Sequence, residues 1–185
     1  MIDRRRTLGR GAARGAAAVL WNTRVFAAVY MDIEQARREL LPQASTFQLL
    51  PLALDTQAIA QASGTRVPPG YRPAAWAGLD AQGQRVGFVL ADQVVGKYEL
   101  IDYAAGFGLD GTVTQVEVLA YRESHGAEIR NLAWRKQFAG RKGPAQMRFG
   151  DDIRNISGAT LSCQHVTEGV QRLAAIVQTQ LQRRP

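Results

Sequence analysis

Apolar residues recur at three- and four-residue steps near the end of this chain: Val166, Val170, Leu173, Ala174, Val177 and Leu181. That spacing predicts a long helix over 162–182, with Ser162 as its N-cap. The centre has a different rhythm. Over 112–121, Val116, Val118 and Ala120 fall on one face of a strand, and Glu117, Leu119 and Tyr121 on the other. Ala74–Leu79, Arg85–Val95 and 98–107 also read as strands. The turn signals Asp80-Ala81-Gln82-Gly83 and Leu109-Asp110-Gly111 punctuate the set. The expectation is an α+β domain: an antiparallel β-sheet of about four strands, flanking helices and a long C-terminal helix. Upstream, 32–41 reads as a short helix stopped by Pro42, 46–54 as a strand and 56–62 as a second short helix. Residues 64–73 read as a Gly/Pro loop, 131–138 as a further helix and 140–144 as a basic loop.

At 185 residues and 46% hydrophobic composition, the chain can bury a core. It has no run of 18 or more apolar residues, so the reading is a peripheral rather than a membrane-spanning protein. The formal charge of +7 suggests nucleic acid until its location is considered. Residues 1–27 hold six arginines against Asp3 alone, a net of +5, which leaves only +2 for the body. A near-neutral body gives phosphate backbones no strong field, so no nucleic-acid partner is expected.

Arg4-Arg5-Arg6-Thr7-Leu8 resembles a twin-arginine export signal, followed by a modest apolar stretch and Val25-Phe26-Ala27, suited to cleavage. Arg14 and Arg24 interrupt the pattern, and the alternative to an export signal is a basic N-terminal arm. The expected organisation is a signal peptide over 1–27, a helix/strand extension over 28–73 and a cofactor-binding domain over 74–185, in the periplasm and associated with the membrane. Cys163, alone, forms no internal disulfide and reads as a small packed residue.

The candidate chemistry lies in two short stretches. Ile156-Ser157-Gly158-Ala159-Thr160-Leu161-Ser162 puts three hydroxyls around a glycine just before the long helix. Free amides and the dipole of a helix N-terminus favour an anion there. On the residues alone it is equally an ordinary loop leading into a helix. Tyr121-Arg122-Glu123-Ser124-His125-Gly126-Ala127-Glu128 follows the best strand, and the alternative for its Arg122 and Glu123 is solvated charges in a connecting loop.

Together, and in this order, the two stretches resemble the FMN-binding domain family, which includes the peripheral flavoprotein subunits of Rnf and sodium-translocating NADH:quinone reductase complexes. Ser-Gly-Ala-Thr resembles that family's flavinylation motif. The Glu123 loop resembles its Glu-Thr-Pro-Gly loop, with Ser124 and His125 in place of the threonine and proline. The resemblance implies FMN as cofactor, joined by a flavin transferase to Thr160. Ser157, Gly158, Ala159, Leu161 and Ser162 would form the attachment loop, and Glu123, Ser124 and Gly126 the contacts beside the ring. It further implies electron exchange with a membrane redox protein.

One departure stands out: Arg154 occupies the position, three before the serine, where the family has an acid. Either Asp152 serves instead, or FMN is bound without a covalent link and Arg154 pairs with its phosphate. No Gly-x-Gly-x-x-Gly, Ser-His-Asp order or cysteine cluster suggests self-contained catalysis, so no catalytic residue is assigned. His125 and His165 have no companion ligands, and no metal is assigned. Trp76 and Trp134 suit flavin stacking or, more ordinarily, core filling. The alternatives to an electron carrier are a small flavin-dependent reductase with non-covalent FMN, and a flavin-less binding module.

Overall fold

The computed structural model describes residues 28–182. The export signal expected over 1–27 lies outside them. Six strands form one antiparallel sheet in the order β1-β6-β5-β4-β3-β2. They are β1 (Ala28–Val29), β2 (Thr46–Leu50), β3 (Ala74–Leu79), β4 (Arg85–Val95), β5 (Leu100–Gly108) and β6 (Val113–Tyr121). The expected four-strand meander is its centre, β3 to β6. The count differs because β2 pairs with β3, and the short β1 pairs with β6.

Four α-helices accompany the sheet: α1 (Ile33–Leu40), α2 (Thr56–Ser63), α3 (Leu132–Arg135) and α4 (Thr160–Ile176). Asp32 caps α1 by accepting the Gln35 amide at 2.7 Å. Asp55 caps α2 by accepting the amides of Gln57 and Ala58, each at 3.0 Å. Both short helices form where the sequence predicts them, the first ending just before Pro42.

The sheet is covered on both faces. Phe88, Leu90, Tyr103, Phe107 and Val116 pack with Val166, Val170, Leu173 and Ile176 of α4. On the opposite face, Leu40 and Leu41 pack with Val89, Ala104 and Leu119. Burial on both sides accounts for the successive buried residues 87–90 of β4 and 103–107 of β5.

Three expectations need correction. The strand expected from residue 98 begins at Leu100, because residues 96–99 form a turn closed by the Gly96 amide on the Glu99 carbonyl at 2.8 Å. The long helix starts at Thr160, and its cap position is Ala159 rather than Ser162. Tyr121 joins Val116 and Val118 in the α4-side core instead of facing away. The cause is a bulge: Asp102 pairs with Ala120 and Tyr103 with Val118, so Leu119 has no counterpart on β5. One extra residue resets the alternation and re-aims the end of the strand.

Candidate functional site

Beyond Tyr121 the chain leaves the sheet and turns back towards the start of α4. A cleft of about 680 Å³ lies there, lined by residues 123–128, by 158–162 and by Lys97 and Tyr98. Of the residues singled out from sequence, Glu123, Ser124, Gly126, Gly158, Ala159, Thr160, Leu161 and Ser162 line it. Ser157 is exposed but does not. Sequence reading missed Lys97 and Tyr98, which carry no motif and reach the cleft through the β4–β5 turn.

Thr160 is the first residue of α4 and is exposed. The Asn155 side-chain amide donates to its Oγ1 at 3.2 Å. The first bond of the helix runs from the Cys163 amide to the Ala159 carbonyl at 2.9 Å. The amides of Thr160, Leu161 and Ser162 thus precede the helical ladder, and no side chain caps them. A 17-residue helix without a side-chain cap presents free amide donors to an anion. Gly158 lets the chain enter it, with φ +87° and open space where a Cβ would be. Ser162 is buried instead, its hydroxyl 3.1 Å from the Tyr121 hydroxyl.

Tyr121 ties the two loops together. Its hydroxyl also donates to the His125 carbonyl at 2.5 Å. Burial pushes the phenol above its ordinary pKa; the Ser162 hydrogen bond opposes that rise, and the charges of Glu123 and Glu128 add to it. The group therefore stays a neutral donor. Nothing in the sequence pattern pointed to this role, since the bulge at Leu119 is what turns Tyr121 inwards.

Glu123 is not a free carboxylate beside the cleft. Its Oε1 accepts the amides of Tyr98 at 2.5 Å and Glu99 at 2.9 Å. Burial works against its ionisation, but the amides of Glu99, Tyr98 and Lys97 outweigh it and hold the pKa below the usual range. The clamp is thus present at neutral pH and is lost as pH falls through that lowered value. Glu123→Ala is expected to speed amide exchange at Tyr98 and Glu99 by about tenfold or more, as charged hydrogen bonds are worth about 1.5–3 kcal/mol. Unchanged exchange would show that the turn is held by other means. Neighbouring Arg122 is also engaged, 2.6 Å from the Asp102 carboxylate.

The remaining candidates lie elsewhere. Trp134 is buried edge-on against Phe138 and donates to the Arg154 carbonyl at 2.8 Å. Trp76 packs at the α1 face under the Arg37 guanidinium. Neither lines the cleft. Asp152 accepts from both the amide and the guanidinium of Arg148. Arg154 is exposed, with its amide held by Gln137. Cys163 is buried, and burial pushes its thiol pKa up.

Residues 96–175 match a protein-family model described as an FMN-binding domain. FMN is its cofactor, and the cleft fits that group: its volume is in the small-molecule range, and an uncapped helix start adjoins an exposed hydroxyl. The chain is also similar to a subunit of the ion-translocating oxidoreductase complex of Methanosarcina acetivorans, 27% identical over 154 residues, covering 80% of this chain and 76% of that protein. Among the described residues, no helix is long and apolar enough to cross a membrane.

Proposed function

We propose that this chain is an exported electron-transfer protein whose FMN is joined to Thr160 and which exchanges electrons with a membrane redox partner. The observation that carries the reading is the exposed Thr160 hydroxyl at an uncapped helix start, sharing one cleft with the Glu123-Ser124 loop. A separate flavin transferase would supply FMN from FAD: Thr160 Oγ1 bonds to the FMN-side phosphorus, and AMP leaves with the cleaved pyrophosphate oxygen. The amides at the start of α4 would hold the phosphate, and Asn155 orients the hydroxyl. When bound, FMN takes up and releases electrons singly or in pairs. The Glu123 loop and the 96–99 turn then limit how the ring lies and how much water reaches it. The similarity to one member of an oxidoreductase complex supports a partner at the membrane.

Co-expression with a flavin transferase tests this reading. The protein should stay yellow after acid precipitation and gain the mass of FMN less water. Colour lost to the acid supernatant selects the second reading, non-covalent FMN, which the exposed Arg154 at the usual acidic position favours. Colourless protein rejects both.

Export rests on residues 1–27 alone. Arg5→Lys with Arg6→Lys is expected to leave unprocessed protein in the cytoplasm, checked by cell fractionation. Normal periplasmic accumulation of the double variant rejects the twin-arginine route.

A further inference from the structure

The two motif loops supply two walls of the FMN cleft, and the third wall is the turn at 96–99. This turn is fastened from both sides by elements that carry the motifs. Glu123 accepts the amides of Tyr98 and Glu99. From α4, one turn beyond Thr160, His165 places Nδ1 2.6 Å from the Val95 carbonyl and 3.0 Å from that of Gly96. Carbonyls only accept, so that nitrogen carries the hydrogen. There is no room for a side chain at position 96, where a Cβ would stand 2.7 Å from Glu123 Oε1 and 3.0 Å from Ile101 Cδ1.

On this rigid support stands a side chain with almost nothing to touch. Tyr98 is 74% exposed. Its one ring contact among the described residues is the Lys97 ammonium, 4.9 Å from the ring centroid. Among those residues it is also the only phenyl or indole ring lining the cleft. The tryptophans at 76 and 134 are spent in packing. The region matching the FMN-binding domain begins at residue 96, with this turn. A flavin anchored by its phosphate at α4 must lay a flat, apolar-faced ring along the cleft. An aromatic face carried on a fastened backbone at the rim is the complementary surface, and with two side-chain torsions it loses little conformational entropy on contact.

We propose that Tyr98 is the stacking platform for the isoalloxazine ring of FMN, with Lys97 as the cation beside it. The proposal rests on the FMN reading above. A phenol stacked on a flavin quenches its fluorescence by passing an electron to the excited ring and taking it back. A cation beside the ring favours the more negatively charged reduced form and raises the midpoint potential.

The test uses full-length protein loaded with FMN. Both side chains are exposed, and circular-dichroism melting checks that the variants stay folded. Tyr98→Leu should lengthen the flavin fluorescence lifetime severalfold at unchanged FMN content by mass. Tyr98→Trp should restore quenching, and Lys97→Gln should lower the midpoint potential. A Tyr98→Leu protein with full FMN content and the wild-type lifetime overturns the stacking assignment alone. An unaltered potential in Lys97→Gln overturns the part given to Lys97. Wild-type protein that never holds FMN overturns the flavin reading, and this proposal with it.

Discussion

Thr160→Ala should abolish the covalent FMN adduct completely while leaving the fold intact. The residue is exposed and caps nothing, so the change in stability should stay within about 0.5 kcal/mol, as for other surface substitutions. The chemistry requires a hydroxyl at the first position of α4, and alanine removes it. Thr160→Ser keeps the oxygen and should retain the adduct. The neighbouring hydroxyls are poorer acceptors of the flavin for physical reasons. Ser162 is buried and bonded to Tyr121, and Ser157 lies outside the cleft lining. Ser157→Ala should therefore only weaken modification. Asn155→Ala, which removes the amide on Thr160 Oγ1, should slow it without moving it. Peptide mass spectrometry after co-expression with the transferase decides. An unmodified Thr160 peptide in a protein that still holds FMN removes the covalent bond from the proposal, and an adduct on Ser157 or Ser162 moves the site.

The parts of this fold governed by local rules were legible. Pro42 ends one helix, and the spacing from Val166 to Ala174 marks the face of α4 that meets the sheet. The parts governed by pairing across distance were not. β1 has two residues and no pattern of its own, and is a strand only because it lies beside β6. Tyr98 and Glu99 suit a strand by composition, but their amides are taken by a carboxylate over twenty residues away. For the site, the two motif loops converge on one cleft. What the sequence concealed is the framework that brings them together. A bulge at Leu119 cannot be read from alternation, because it is an interruption of alternation. Its consequence, Tyr121 facing Ser162, decides which serine is free. The start of α4 lacks a side-chain cap for a separate reason: its cap position is Ala159, not the Ser162 that the pattern suggests.

Gly126→Ala should couple stability to the cofactor site, and it is the sharpest test of that framework. Gly126 has φ +89°, a conformation that costs an L-residue about 1–2 kcal/mol. A Cβ there would also stand 2.6 Å from the Tyr121 hydroxyl and 3.2 Å from the Ala159 Cβ. The phenol must then shift, loosening its bonds to the His125 carbonyl and Ser162, each worth about 0.5–1.5 kcal/mol. The expected loss is about 2–3 kcal/mol, which for a chain of this size lowers Tm by about 4–12 °C. Because the shifted loops are two of the walls of the cleft, FMN loading should fall as well. Tyr121→Phe removes the hydroxyl without crowding and should cost about 1–2 kcal/mol, part of it the buried Ser162 hydroxyl left without a partner. The two changes share one atom, so they should not add. With the hydroxyl gone, alanine at 126 loses its closest obstacle, and the backbone strain and the 3.2 Å contact with the Ala159 Cβ remain. A double variant clearly more stable than the sum of the single losses supports a direct contact between Tyr121 and the Gly126 turn. Strict additivity in thermal and urea unfolding would show that the turn is held independently of the phenol.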